Sequence, residues 1–518
     1  MKRREHLNAL AANRFDAVIV GAGINGAVTA AALSAHGLSV ALVDRGDFAG
    51  FTSQESSNLI WGGFKYLQTY EFGLVRKLSL ARNRLVNAYP SSVTPIDFLA
   101  LFDEDSPFPP ALAAAGSFAY WAIGGFATKR PKPLSPAKVE VLEPIVNTAC
   151  AKGGLLYADA MLEDNDARFV YGFVRQAERQ GATIANYCEV VTADFADDRW
   201  KLQITDQAGE GSTIEASARI VINATGPFVD GFNKILQVAT EHRIALSKGI
   251  HLIVPRIGSG ERVLAFFDED ERLYYVIPMD DRSVIGTTDT KVASPYTEVT
   301  DQDREFVLRQ INDRLDLDEP ITVDDVIAER VGVRPLVVKA DDDEDQEIDW
   351  LELSRKHEIE LDRSRGVVSI FGGKLTDCLN VGEELLDVVE ELGLPVGARN
   401  ETWFGEPDSL ARVEFLRQAS KAGIGRSLPG DAALLWRRYG YDAPAVLERV
   451  IEEPELLWED PPFHKGEVSW VGANENVVQV DDFLRRRSSL ALTDAGAGLD
   501  ALHDSFAAAL GITAPAQT

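Results

Sequence analysis

Three glycines and one acid, at fixed spacing, carry the first chemistry visible in this 518-residue chain. Gly21, Gly23 and Gly26 stand in the run Gly21-Ala22-Gly23-Ile24-Asn25-Gly26, directly after the β-branched stretch Phe15–Val20. An Ala-rich stretch to His36 reads as a helix, Gly37 stops it, and Leu38–Val43 reads as a second strand ending in Asp44. In such a βαβ unit the first glycine permits the tight turn, the second lets the backbone approach a pyrophosphate, and the third lets helix and strand pack closely. The helix N-terminus offers N–H groups and partial positive charge to a diphosphate. Asp44 sits where a carboxylate accepts both ribose hydroxyls of an adenosine. A dinucleotide site is the implied chemistry.

A second signature separates the candidate dinucleotides. Ala218–Pro227 reads as a strand ending in the small-residue turn Ala224-Thr225-Gly226. A late strand returning beside the first βαβ unit and ending in such a turn favours FAD over NAD. Farther on, His251 begins an apolar stretch, and none of the seven histidines stands at metal-ligand spacing, so no metal site is expected. An unperturbed imidazole titrates near 6.5 and can accept a proton at neutral pH, which makes His251 the candidate base.

The elements that must position these groups follow from pattern. His251–Pro255, Arg272–Pro278 and Ser283–Thr288 read as strands of a sheet that covers substrate. After Glu401 the pattern turns to amphipathic helix, which places a boundary near 395–402. Pattern alone gives an α/β fold with a helical end, and the resemblance of its motifs to a known family implies its organisation: a Rossmann-like FAD domain of the two-dinucleotide-binding type, an inserted sheet-based substrate domain, and a C-terminal helical domain. In numbers, residues 14–395 hold the interleaved first two parts, with substrate segments at about 90–140 and 250–345, and 400–518 hold the helices.

Composition narrows the functional classes. Hydrophobic residues make up 45% and charged ones 26%, ordinary for a globular protein. With 81 Asp and Glu against 52 Lys and Arg, the net charge of −29 disfavours nucleic-acid backbones and anionic surfaces. Cys150, Cys188 and Cys378 are too few and scattered for a disulfide scaffold, and no secretory signal is visible, so a cytoplasmic setting is expected. The run Asp341–Asp349, with seven acids in nine residues, reads as a solvated loop because it lacks EF-hand spacing. Residues 107–128 carry no charge and are followed by Lys129-Arg130. A single membrane span there would put Gly21 and Ala224 on opposite sides of the bilayer, so this stretch is either a buried helix or one lying in a lipid interface.

The motifs taken together resemble the FAD-dependent glycerol-3-phosphate dehydrogenase family, within the D-amino-acid-oxidase-like flavoproteins. Beyond the glycine turn, the likeness rests on Thr52–Leu67, Asn223–Pro227, Lys248–Arg256, Ile285–Asp289, Gly332–Leu336, Phe371–Thr376 and the Val480–Arg487 segment, in the family's order. The resemblance implies FAD as cofactor, held also by Thr52, Ser53, Ser57, Gly62, Gly63, Ala224, Gly226, Gly372, Gly373, Lys374, Leu375 and Thr376. It implies a phosphorylated polyol as substrate, with Arg334, Arg355 and Lys374 at the anion and Trp61, Lys65 and Tyr66 lining the pocket. Hydride leaves the carbinol carbon for flavin N5, and a base takes the hydroxyl proton. Family members that feed a respiratory chain pass electrons to quinone on the inner face of the cytoplasmic membrane, which would suit residues 107–128. A homodimer is the expected assembly.

This sequence also departs from the family pattern. Asn58 stands where relatives usually carry Lys, Trp61 where they carry His, and Lys65 where they carry Arg. Cys378 and Leu379 replace a Tyr and an Arg. These changes point to a substrate that is bulkier, less highly charged or a different polyol phosphate, with Trp61 and Lys65 either shaping the pocket or packing under the flavin. Two alternatives stay open: an FAD-dependent oxidase of an amine or hydroxy acid, and a non-catalytic flavin-binding or membrane-docking protein.

Overall fold

The structure, a computed structural model, describes residues 2–67, 70–104, 106–209, 211–267, 272–341, 356–398, 402–494 and 497–512, with Lys65 and Ala497 as backbone alone. Arg355 and all but the first residue of the acidic run 341–349 lie outside the described residues.

The strand Arg14–Val20 is apolar on both faces, and such a strand must be covered on both. It pairs in parallel with Val40–Val43 on one side and Thr213–Asn223 on the other. Val367–Phe371 joins Thr213–Asn223 in parallel, and Thr183–Ala185 joins Val40–Val43. Helices Ile24–Ala35, Asp166–Arg179 and Cys378–Glu391 cover one face, where Val28, Leu33, Val170, Val174 and Leu385 form a buried core. The hairpin Cys188–Ala196/Arg199–Asp206 belongs to the other side, where Leu10, Trp200 and Phe232 are buried together. The predicted βαβ unit is thus present, and the late strand lies directly beside it.

The glycine turn is as tight as its sequence requires. Gly21 has φ +97°, and a side chain there would strike the Ala224 carbonyl. A Cβ on Gly26 would lie 1.8 Å from the Gly21 carbonyl oxygen, so helix and turn can touch only through glycine.

The second sheet is built around the long strand His242–Pro255. Ala328–Lys339 pairs antiparallel with it over its whole length, and Arg282–Gly286 pairs on its other side. Leu273–Met279, Arg262–Phe267, Val93–Phe102 and Gly153–Leu162 extend the sheet, and Leu59–Ile60 closes its far edge. It therefore draws on residues 59–60, 153–162 and 242–249, outside the two expected windows. The uncharged stretch contains the helix Pro110–Ile123, buried along the stripe Ala113–Ser117–Tyr120 and exposed elsewhere, notably at Leu112. Among the described residues no helix is long and apolar enough to cross a membrane. Tyr120 reaches the fully buried Asp159, which Arg82 contacts at 2.5 Å and to which the Gly62 N–H donates at 3.2 Å. Removing one partner of such a buried pair typically costs about 3–5 kcal/mol.

Beyond Ser409 the chain is mainly helical, with a core of its own around Phe415, Trp436, Val468, Phe483 and Phe506. A short hairpin, Leu456–Trp458 with Phe463–His464, interrupts the helices that the sequence pattern suggests.

Gly26→Ala should destabilise the protein by about 1–3 kcal/mol through overpacking against the Gly21 carbonyl, read as a lower thermal midpoint than wild type. An unchanged midpoint would contradict the close approach.

Candidate functional site

Four turns from distant parts of the chain meet at the C-terminal edge of the parallel sheet. Gly21–Ile24, Asp44-Arg45, Ala224–Phe228 and Gly372-Gly373 line one cleft of about 380 Å³, together with Gly50–Ser53 and Pro335. Such a crevice outside the strand ends is where open α/β sheets bind ligands. Asn223 braces one turn by accepting from the Thr225 N–H at 3.2 Å and the Thr225 hydroxyl at 2.7 Å. Asn25 braces another, its amide donating to the Gly372 carbonyl at 2.9 Å. Ser53 Oγ accepts the Ile24 N–H at 3.0 Å, and Thr52 Oγ1 donates to the Val333 carbonyl at 2.6 Å, tying the cleft to the second sheet.

Asp44 accepts the Ala22 N–H at 2.7 Å and the Gly46 N–H at 2.8 Å. Burial nevertheless dominates and pushes its carboxyl up to about 6, against the lowering effect of those two backbone bonds. Beside it, Arg45 lies 3.8 Å from the Phe228 ring centroid and 4.9 Å from that of Phe51, and donates to Tyr296 OH at 2.5 Å. This aromatic cage at the mouth of the cleft carries no motif in the sequence.

The residues read as substrate-side lie on one face of the second sheet and across from it. Strand pairing sets Ser247 opposite Arg334, Gly249 opposite Gly332 and His251 opposite Arg330, so the side chains of Ser247, His251, Arg330 and Arg334 share a face that the two glycines leave open. Arg334 lies over Gly249, where a Cβ would come within 2.2 Å of its guanidinium. It donates to the Thr288 carbonyl at 3.0 Å and to Thr287 Oγ1 at 2.7 Å, with Asp289 at 3.6 Å. Arg330, which sequence reading missed, is 2% exposed and donates to the Ser56 carbonyl. Its four-residue spacing from Arg334 in one strand was the available signal.

His251 is 3% exposed, and neither ring nitrogen has a hydrogen-bond partner. Burial, then the charges of Arg334 and Arg330, push it down to about 3. This corrects the expectation of a titration near 6.5: the sheet face that supplies the arginines also removes the water that would solvate an imidazolium.

Lys374, Trp61 and Tyr66 form a third group. Lys374 Nζ donates to Tyr66 OH and lies 4.1 Å from the Tyr66 ring centroid and 5.6 Å from that of Trp61. The Trp61 backbone N–H donates to Thr376 Oγ1 at 3.2 Å, and its indole N–H is buried beside Tyr157. Behind Gly373, His357 bridges Asp377 at 2.7 Å and Glu384 at 2.8 Å. Burial would lower its pKa, but those two carboxylates outweigh it and raise it.

Some predicted residues fall elsewhere. Gly62 and Gly63 pack against Tyr120 and Tyr66, away from the cleft. Ser57 lines a different cavity with Asn58 and Arg330. Leu375 begins the turn that leads into Cys378–Glu391. Cys378 and Leu379 are fully buried in the core beneath the parallel sheet, so neither side chain lines the cleft. Asn58 donates to the Asp164 carbonyl at 2.9 Å, in a left-handed backbone conformation. Among the described residues no group of acids, cysteines and histidines is arranged to hold a metal.

The fold and the cleft define a flavin-dependent oxidoreductase of the two-dinucleotide type. Residues 16–377 match the family described as FAD dependent oxidoreductase, and 416–510 match the C-terminal domain of alpha-glycerophosphate oxidase. Aerobic glycerol-3-phosphate dehydrogenase of Staphylococcus aureus is 30% identical over 400 residues, covering 75% of this chain and 69% of that one. Glycerol-3-phosphate dehydrogenase 2 of Mycobacterium tuberculosis is 29% identical over 510 residues, covering 96% and 84%. The FAD-complexed glycerol-3-phosphate dehydrogenase of Bacillus halodurans has the same fold, with a TM-score of 0.75 at 23% identity over 99% of this chain and 94% of that one. The chain therefore belongs to the glycerol-3-phosphate dehydrogenase family of FAD-dependent oxidoreductases, and its cofactor is FAD.

The cleft fits that cofactor. Its glycines leave room for a diphosphate against the turn, the Ile24–Ala35 helix begins there, and Asp44 would be the acceptor for a ribose.

The His251 titration makes a stability prediction. Between its ordinary 6.5 and about 3 the unfolded chain binds a proton that the folded chain does not. Stability must therefore fall as pH drops through that window. His251→Gln should flatten this part of the urea-midpoint profile between pH 6.5 and 4. An unaltered slope would show that the imidazole is already charged in the folded protein.

Proposed function

We propose that the protein oxidises the secondary alcohol of sn-glycerol 3-phosphate or a related polyol phosphate. The observation that carries this reading is the row Arg334–His251–Arg330, an unpartnered neutral imidazole between two guanidinium groups on one sheet face. A phosphate ester suits such a row, because guanidinium forks match its oxygens and lose less on desolvation than ammonium groups do. Arg334 is the anion-binding residue, and Lys374, held against Tyr66 and Trp61, adds a second positive charge. His251 takes the proton of the hydroxyl that is oxidised. In the free protein it is a weak base, because burial and the two arginines oppose its charge. An anion bound at Arg334 offsets one of those charges and lifts the imidazole toward the range where it can work. FAD in the cleft supplies the hydride acceptor. Trp61, where relatives usually carry His, narrows the pocket with an apolar plate.

Quinone is the proposed acceptor, and the uncharged helix is the proposed contact with the inner face of the cytoplasmic membrane. Supporting this, Leu112 on the helix and Phe126 just after it are each 60% exposed, and Lys129 and Arg130 follow in sequence, while the stripe Ala113–Ser117–Tyr120 is buried. At a net charge of −29 the attachment is hydrophobic. Wild type should co-sediment with liposomes in low and high salt, and Leu112→Glu/Phe126→Glu should not. Equal partitioning of the two would sink the membrane contact.

Anaerobic addition of sn-glycerol 3-phosphate to the FAD-loaded protein should bleach the flavin band. Arg334→Ala should raise KM about 100-fold or more while FAD stays bound, as expected when a charged partner of a buried anion is removed. His251→Gln should lower kcat about 10²–10⁴-fold with little change in KM. Bleaching by amino or hydroxy acids alone would overturn the substrate assignment.

A further inference from the structure

The wall of the FAD cleft between Asp47 and Ser56 is held in place from outside the cleft. This strap makes the contacts that shape the phosphate turn: the Ala49 N–H donates to the Ala22 carbonyl at 2.9 Å, and Ser53 Oγ accepts the Ile24 N–H at 3.0 Å. Its own apolar anchoring is slight. Phe48 and Ala49 are buried, but no residue from Gly50 to Leu59 is. Ala49 and Phe51 adopt left-handed backbone conformations, at φ +62° and +56°, which side-chain-bearing residues hold only when their surroundings enforce it.

Three groups from the far end of the chain grip this strap on either side of those residues. Arg487 forks onto Asp47, with Nη1 to Oδ2 at 2.8 Å and Nη2 to Oδ1 at 2.9 Å. Arg486 adds its Nε to the same carboxylate at 2.6 Å. Arg485 donates to the Gln54 carbonyl and pairs with Glu55 at 3.2 Å. These arginines are fixed in their turn. Asp482 accepts from Arg486 at 2.6 Å and from Tyr187 OH at 2.6 Å, and Asn165 donates to the Arg485 carbonyl at 2.7 Å and the Ser488 carbonyl at 2.5 Å. Arg487 is 1% exposed and lies 3.9 Å from the Tyr171 ring centroid. A bidentate guanidinium in so dry a place fixes angle as well as distance. Yet the described residues lining the cleft end at Gly373, so the C-terminal domain supports the cleft from behind and does not line it.

We infer that Arg485, Arg486 and Arg487 are positioning residues for the cofactor: the C-terminal helical domain grips the strap and holds it in the shape that binds FAD. The inference rests on the assignment of FAD to this cleft.

The test uses the full-length chain, stripped of FAD and titrated with it. Arg485→Met should weaken FAD binding about 10-fold or more and shift the visible flavin band, as loss of an outer support does for a bound group. Arg485→Lys, which can still donate to Gln54 and pair with Glu55, should recover part of that loss. Arg487→Met should weaken FAD further. Should it fail to fold because Asp47 is left without its fork, the Arg485 variants decide. The control is Arg175→Met. Arg175 crosses the same domain boundary to Asp442 at 2.8 Å and the Asn474 carbonyl at 3.0 Å without touching the strap. It should leave the FAD Kd within about 2-fold, whatever its effect on the thermal midpoint. Wild-type affinity in Arg485→Met, or an equal loss in Arg175→Met, overturns the inference. Gly23→Val separates the premise: if it binds FAD normally, the assignment of the cleft fails, not the clamp.

Discussion

The parallel register of Arg14–Val20 with its neighbours is the constraint on which the site depends. Because Val40–Val43, Thr213–Asn223 and Val367–Phe371 all run in the same direction as Arg14–Val20, they deliver their following turns to a single edge. Those turns begin at Gly21, Asp44, Ala224 and Gly372, positions spread over more than half of the chain. Strands buried on both faces are held in register by close packing on each side, so the turns at their ends are fixed along with them.

The second constraint is the price of charge in dry places. The protein buries Arg82 with Asp159, Arg168 with Glu475, and Arg487 with Asp47. Each pair joins segments far apart in sequence, and each is weak as a source of net stability. What the geometry gains is specificity, because a buried guanidinium accepts only an arrangement that satisfies it. Arg330 is buried in the same way, and Arg334, half-buried, stands on the same sheet face. Together with burial they deny His251 its charge, so the imidazole and the two guanidinium groups are electrostatically one unit.

Much of this was legible from local pattern. The βαβ unit, the small-residue turn at Ala224 and the helical end region each announce themselves in a few consecutive residues, because backbone conformation there is set by glycine and by apolar periodicity. Trp61, Tyr66 and Lys374 do meet, as the family likeness implies. Illegible were the groups whose role depends on a partner: Arg330 beneath Ser56, Asn25 against Gly372, and the cage around Arg45. Cys378 and Leu379, which looked like changes in the pocket, turned out to fill the core, since helix phase decides which side of Cys378–Glu391 faces the sheet.

The run Arg485-Arg486-Arg487 marks the division most sharply. In sequence it is three charges in a row, a pattern that ordinarily faces solvent; in the structure all three guanidinium groups are spent on Asp47, Gln54 and Glu55. The sequence by itself determined the βαβ unit, its glycine turn and a dinucleotide as cofactor, because those features are carried by residues adjacent in the chain. Only the tertiary structure decided the state of His251 and the support of the strap. Solvation and charge–charge energies depend on distances through space, and a linear order of residues does not contain them.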